Sequence, residues 1–291
     1  MKYITIFLIL FCNAMSAQAV SYGVARSAAP VLNVPAITSV FGGVDGKTLK
    51  TDRCGQVREL EYIALPGTVF KILEKRRAGN AAVFRVETKD YPVSPKTALY
   101  VDSRFIELRD LQPPERVRRL PSRQEIIDSL KGAVGHPYVW GGNVQDGVTE
   151  LVEHFYGGTV PVSTRNSLIL AGLDCSGLLY QASNGWTPRN TSQLISYGQP
   201  VAIAGKSAAE IVRQLEPLDL IVWNGHVIIV LDGETVIESR LECGKKGNGG
   251  VVLTPLRRRL TEIMRVRKPV DSWPQNGKLR DVFVVRRWDT P

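Results

Sequence analysis

Histidine is scarce in this chain, with three in 291 residues: His136, His154 and His226. Cysteine is almost as rare, at four, and no Cys-x-x-Cys pair occurs. A structural zinc site with ordinary ligand spacing is therefore not expected. Internal repeats and low-complexity tracts are absent. The apolar run Ile4 to Phe11, broken only by Thr5, is too short and wrongly flanked to cross a membrane. Stable membrane insertion is not expected. The net charge of +9 is spread along the chain with one local run, Arg257-Arg258-Arg259, read as a solvated basic face. No motif interleaves aromatics with those basic residues, so charge alone gives no case for nucleic acid.

What is present begins with an export signal. Lys2 precedes the apolar run, and Ala17-Gln18-Ala19 is a small-x-small cleavage site. Residues 1–19 read as a signal peptide, and the mature protein as periplasmic or cell-wall associated. Leu10 and Phe11 lie where a lipobox before Cys12 would need small residues, so lipidation is not expected. Loss of Cys12 with the signal leaves Cys54, Cys175 and Cys243, an odd count that implies at least one free or intermolecularly paired thiol. A Cys54–Cys243 bridge remains open, because spacing does not fix geometry.

Residues 20–36 read as an extended leader. Short strands follow: Val57–Leu60, Tyr62–Leu65, Thr68–Leu73, Val83–Val86, Tyr100–Val101 and Phe105–Leu108, with turns at Pro66-Gly67 and Arg76–Asn80. This pattern predicts a small β-barrel over 37–112. Pro113-Pro114 and the arginines after them mark a linker over 113–121. Ser122 and Glu125 form a capping-box spacing, and Ile126, Ile127, Leu130 and Val134 repeat at helical intervals until Gly135 and Pro137. Leu173–Tyr180 reads as a loop entering a helix. Leu220–Trp223 and His226–Leu231 flank Asn224-Gly225, a hairpin signal. Thr235–Glu238 and Val282–Val285 are further strands. A cysteine-bearing helix followed by an antiparallel meander is an α+β pattern over 122–291.

A neutral thiol, with a pKa of ~8.5, is a weak nucleophile at pH 7. Cys175 stands at a predicted helix start, where unpaired N–H groups favour a thiolate. His226 opens a buried strand after a tight turn and can take the proton. Glu238, on the next strand of the meander, can fix the imidazole tautomer across the ladder. His136 and His154 lack such a context.

The set Tyr138-Val139-Trp140-Gly141-Gly142, Asp174-Cys175-Ser176-Gly177, Arg189-Asn190-Thr191, Leu218-Asp219-Leu220 and His226-Val227-Ile228-Ile229 resembles the NlpC family of cell-wall cysteine peptidases. The match covers about residues 122–240. Residues about 37–110 resemble, more loosely, a bacterial SH3-like domain. The resemblance implies a papain-like α+β core, no metal or other cofactor, and a monomer acting on peptidoglycan or muropeptide stems. The expected bond joins γ-D-glutamate to meso-diaminopimelate. Cys175 matches the nucleophile and His226 the base, while Tyr138 lines the cleft with Trp140 and Thr191. Asp174 and Ser176 match positions that help hold a substrate ammonium in relatives acting on free stems. The family usually has His, Asn or Gln at the third position, where this chain has Glu238. The stretch from Asp146 to Leu173 is longer than the family norm and reads as an inserted loop or small helix bordering the cleft. Two other readings stay open: a catalytically inert wall-binding protein, and a cysteine amidase on a non-wall substrate.

Overall fold

The computed structural model describes residues 21–78, 81–245, 248–274 and 281–288. The expected signal peptide and Cys12 lie outside the described residues.

The N-terminal part is a seven-stranded antiparallel sheet. Its strands are β1 (Ser21–Ala25), β2 (Ala29–Leu32), β3 (Leu60–Ala64), β4 (Val69–Ala78), β5 (Ala81–Glu87), β6 (Leu99–Asp102) and β7 (Ile106–Arg109). They run in the order β3-β2-β6-β5-β4-β1-β7. The described ladders do not join β3 to β7, so the expected barrel is, among the described residues, a sheet with two edges. Leu32, Tyr62, Phe70, Val86 and Val101 build its core. Each such side chain contributes roughly 1.5–3 kcal/mol by leaving water.

The expected extended leader is corrected. Residues 21–25 pair with β4 and β7, and residues 29–32 pair with β3 and β6. Pro30 obscures the second strand in the sequence, since proline argues against a central strand. It is tolerated because the ladder to β6 holds only Val31 and Leu32.

Residues 113–121 have no regular structure, yet they are tied down. Arg118 reaches Asp90 of the N-terminal part and also donates to Gly185 O at 3.2 Å. Helix α1 (Arg123–Gly132) then starts with the capping box that Ser122 and Glu125 foretell. It ends earlier than the spacing implied, with Ala133 as C-cap, and Val134 is exposed rather than part of the buried stripe.

The inserted stretch forms α2 (Glu150–Phe155) and α3 (Val162–Leu168). Its apolar residues turn toward the N-terminal sheet: Leu151, Phe155 and Leu168 share a core with Phe41 and Phe105. Arg104 donates to His154 O at 2.7 Å and stacks over Phe155.

Helix α4 (Cys175–Ala182) and α5 (Ala208–Val212) precede the second antiparallel sheet. That sheet contains β8 (Leu220–Trp223), β9 (His226–Val230), β10 (Thr235–Leu241) and β11 (Gly249–Pro255). Helix α6 (Leu256–Met264) and β12 (Val282–Arg287) follow, and β12 pairs beside β8. Leu220, Val222, Val227 and Ile229 pack toward α1 and α4. Ile221, Ile228, Phe283 and Val285 pack toward α5 and α6. Coverage on both faces explains why these strands read as continuous apolar runs. The fold is mixed α and β with antiparallel sheets, and Cys175 enters it where α4 meets the sheet.

Candidate active site

Asp174 sets the start of α4. Its carboxylate accepts from Gly177 N at 2.6 Å, capping the helix so that Cys175 is the first helical residue. The helix is buried almost all round, which its apolar sequence Leu178-Leu179-Tyr180 requires. Close approach fixes one residue type: a Cβ at Gly177 would lie 1.9 Å from Gly142 O.

Hairpin β8–β9 carries the imidazole. Gly225 adopts φ +97°, in the left-handed region that favours glycine, and Trp223 pairs with His226 across the turn. The sulfur of Cys175 lies 3.9 Å from Gly225 O, beside the His226 ring whose protonation it favours. On the far side of the ring, His226 Nε2 lies 2.7 Å from Glu238 Oε2. With Nε2 engaged there, Nδ1 is left for sulfur. Burial opposes charge on His226, but hydrogen bonds to Cys175 and Glu238, together with their charges, push its pKa up to about 9. Glu238 is fully buried. Burial works against its charge too, but hydrogen bonds from His226 and Arg259 and the charges of both hold its pKa down at about 2.

The structure thus holds His226 against Glu238 and sets Cys175 beside the ring. Asp174 and Ser176 are tied to Arg189. Asp174 Oδ1 accepts from Gly177 N, Ser176 Oγ and Arg189 Nη1, while Oδ2 accepts from Gly141 N and Arg189 Nη2. Arg189 is 2 % exposed and also donates to Ser176 Oγ at 2.8 Å. Thr191 Oγ1 accepts from Gly225 N at 3.1 Å and so pins the turn beneath His226.

Tyr138 is largely buried. Burial, then the charges of Asp174 and Cys175, push its phenol well above the usual range, so it remains a proton donor. Trp140 is 39 % exposed, with the Arg58 guanidinium 4.5 Å over its ring. Gln56, from the N-terminal part, grips this segment: its Oε1 accepts from Trp140 N at 2.8 Å and its Nε2 donates to Tyr138 O at 3.4 Å. Cys54, two residues earlier, forms a disulfide with Cys243, leaving Cys175 as the free thiol among the described residues. Elsewhere, a cavity of about 620 Å³ opens on the N-terminal sheet beside Lys71, Arg85 and Tyr91, and none of the expected site residues lines it.

Three contributors were not singled out from sequence for these roles. Gln56 carries no local signal. Arg189 was visible as a motif member but not as a buried counter-ion. Arg259 belongs to a run that reads as solvated, although it stands three residues after Leu256 and one before Leu260, at the flank of the apolar stripe of α6.

No protein-family model matches the chain, and no curated protein matches it. Among solved structures, the chain is similar to RipD from Mycobacterium tuberculosis, described as a non-catalytic NlpC/p60 domain protein adapted to peptidoglycan binding. That similarity has 20% identity and a TM-score of 0.32, covering 57% of this chain and 95% of RipD. NlpC2 from Trichomonas vaginalis is similar at 13% identity and a TM-score of 0.32, covering 93% of this chain and 74% of that one.

Proposed function

We propose that this chain is an exported cysteine peptidase of NlpC/p60 type that hydrolyses peptide stems of bacterial cell wall, with an SH3-like N-terminal domain beside its cleft. One observation carries the reading: a free thiol at a helix start stands beside an imidazole whose Nε2 is held at 2.7 Å by a buried carboxylate. A non-catalytic domain has no need of that arrangement.

In this reading Cys175 gives its proton to His226 and attacks the scissile carbonyl. The tetrahedral oxyanion is stabilised by the Cys175 N–H, one of the first-turn donors with no intrahelical acceptor, and by the Tyr138 hydroxyl. One such donor is worth roughly 3–4 kcal/mol of barrier. The His226 imidazolium protonates the leaving amine as the C–N bond breaks, leaving a thioester. Neutral His226 then takes a proton from water, which attacks the thioester, and the proton returns to sulfur. Glu238 stabilises the imidazolium without taking its proton. The substrate class follows from the motif resemblance, with the γ-D-glutamyl–diaminopimelate bond as the first candidate.

Mass spectrometry of defined tripeptide and tetrapeptide stems, incubated with the wild type and with Cys175→Ala, tests the proposal. Cleavage by the wild type alone is expected. Equal cleavage by both would end it.

A further inference from the structure

The run Arg257-Arg258-Arg259 divides once α6 is in place. Arg257 and Arg258 face solvent, whereas the Arg259 side chain is 18% exposed and turns to the sheet. It meets Glu238 with a two-pronged contact, Nε to Oε1 at 2.7 Å and Nη2 to Oε2 at 2.9 Å. Oε2 is the oxygen that also binds His226 Nε2. Both prongs match the planar fork of a guanidinium to the plane of a carboxylate.

A carboxylate with no exposed surface is costly to keep charged unless it is paired. His226 is a charged partner for only part of the proposed cycle, because the imidazole loses its proton to the leaving group. With that proton gone, Glu238 would have a single neutral donor from the ring. Arg240 stands at 3.5 Å from Oε1 and is shared with Glu242. Across the ladder Glu238 faces Val252, which carries no charge. From α6, Glu262 meets Arg259 Nη1 at 3.4 Å and steadies the guanidinium. Beyond the ring stands Cys175. Arg259 is therefore the closer of two guanidiniums whose charge does not change as the proton moves.

We infer that Arg259 is a positioning residue: its guanidinium keeps Glu238 ionised and oriented while His226 gains and loses its proton. This rests on the reading of His226 as the base, and it extends the site from Cys175 to helix α6.

The test uses the full chain and needs no cell-wall substrate. Proton NMR follows the downfield resonance of the His226 Nε2–H···Glu238 bond from pH 7 to pH 4, and iodoacetamide alkylation reports Cys175 reactivity at pH 7. The wild type should keep the resonance to pH 4. Arg259→Gln should lose it at a midpoint inside that range, with alkylation slowed about tenfold. Arg259→Lys, which keeps charge but not the fork, should restore the resonance and only part of the rate. Arg258→Gln, an exposed neighbour paired to the same Glu262, should match the wild type. An unchanged resonance and rate in Arg259→Gln overturns the inference. If that variant does not fold, Arg259→Lys decides: alkylation as fast as in the wild type overturns it. Failure to cleave any wall stem would remove the peptidase reading and leave these outcomes standing.

Discussion

His226 and Glu238 meet across neighbouring strands with Nε2 and Oε2 2.7 Å apart, the imidazole at a strand start and the carboxylate fully buried. The contact fixes which ring nitrogen faces sulfur. Glu238→Gln should therefore lower kcat by about 100-fold or more, since an amide can present its N–H to Nε2 and favour the wrong tautomer. KM should change little. Steady-state kinetics on a defined stem peptide checks both, and a loss under threefold would place the orienting group elsewhere.

Stability should depend on pH through the same pair. His226 is raised from 6.5 to about 9, so its contribution is complete below 6.5 and lost as pH rises through about 9. Glu238 is lowered from 4.5 to about 2, so its contribution is complete above 4.5 and lost as pH falls toward about 2. Urea midpoints should be highest between those limits and decline on both sides. His226→Ala should flatten the alkaline decline; a decline of the same size in that variant would assign it to other groups.

Gly177 is a steric requirement. With a Cβ placed 1.9 Å from Gly142 O, Gly177→Ala must move α4 or the Gly141-Gly142 segment. A destabilisation of about 3 kcal/mol is expected, at the upper end for overpacking. Thermal unfolding measures it, and a melting point within 2 °C of wild type would show that the helix shifts freely.

The disulfide joins positions 189 residues apart and anchors the loop carrying Gln56. Replacing both Cys54 and Cys243 by serine should cost about 2–5 kcal/mol of stability. Because Gln56 braces Tyr138 and Trp140, KM should rise more than kcat falls. Kinetics and urea unfolding of the double variant test the two effects separately.

Local chemistry was legible in the sequence where neighbours along the chain determine it. Ser122 and Glu125 announce their capping box and Asn224-Gly225 its hairpin, and His226 and Glu238 meet across the meander. What stayed hidden depends on partners distant in sequence. Arg189 looked like a motif residue until its five nearby acceptors closed around it, and Arg259 looked solvated until α6 docked on β10. Residues 21–32 escaped because small residues and Pro30 blur a strand whose burial comes from both neighbours. The bonds from Arg189 to Asp174 and Ser176 likewise emerge only in the fold.

The most direct measurement is the pH dependence of iodoacetamide alkylation at Cys175, in the wild type and in His226→Gln. A sulfur that shares its proton with the imidazole should react rapidly at pH 6 in the wild type and at least tenfold more slowly in the variant. Equal rates at pH 6 would contradict the pairing of Cys175 with His226 on which the proposed chemistry stands.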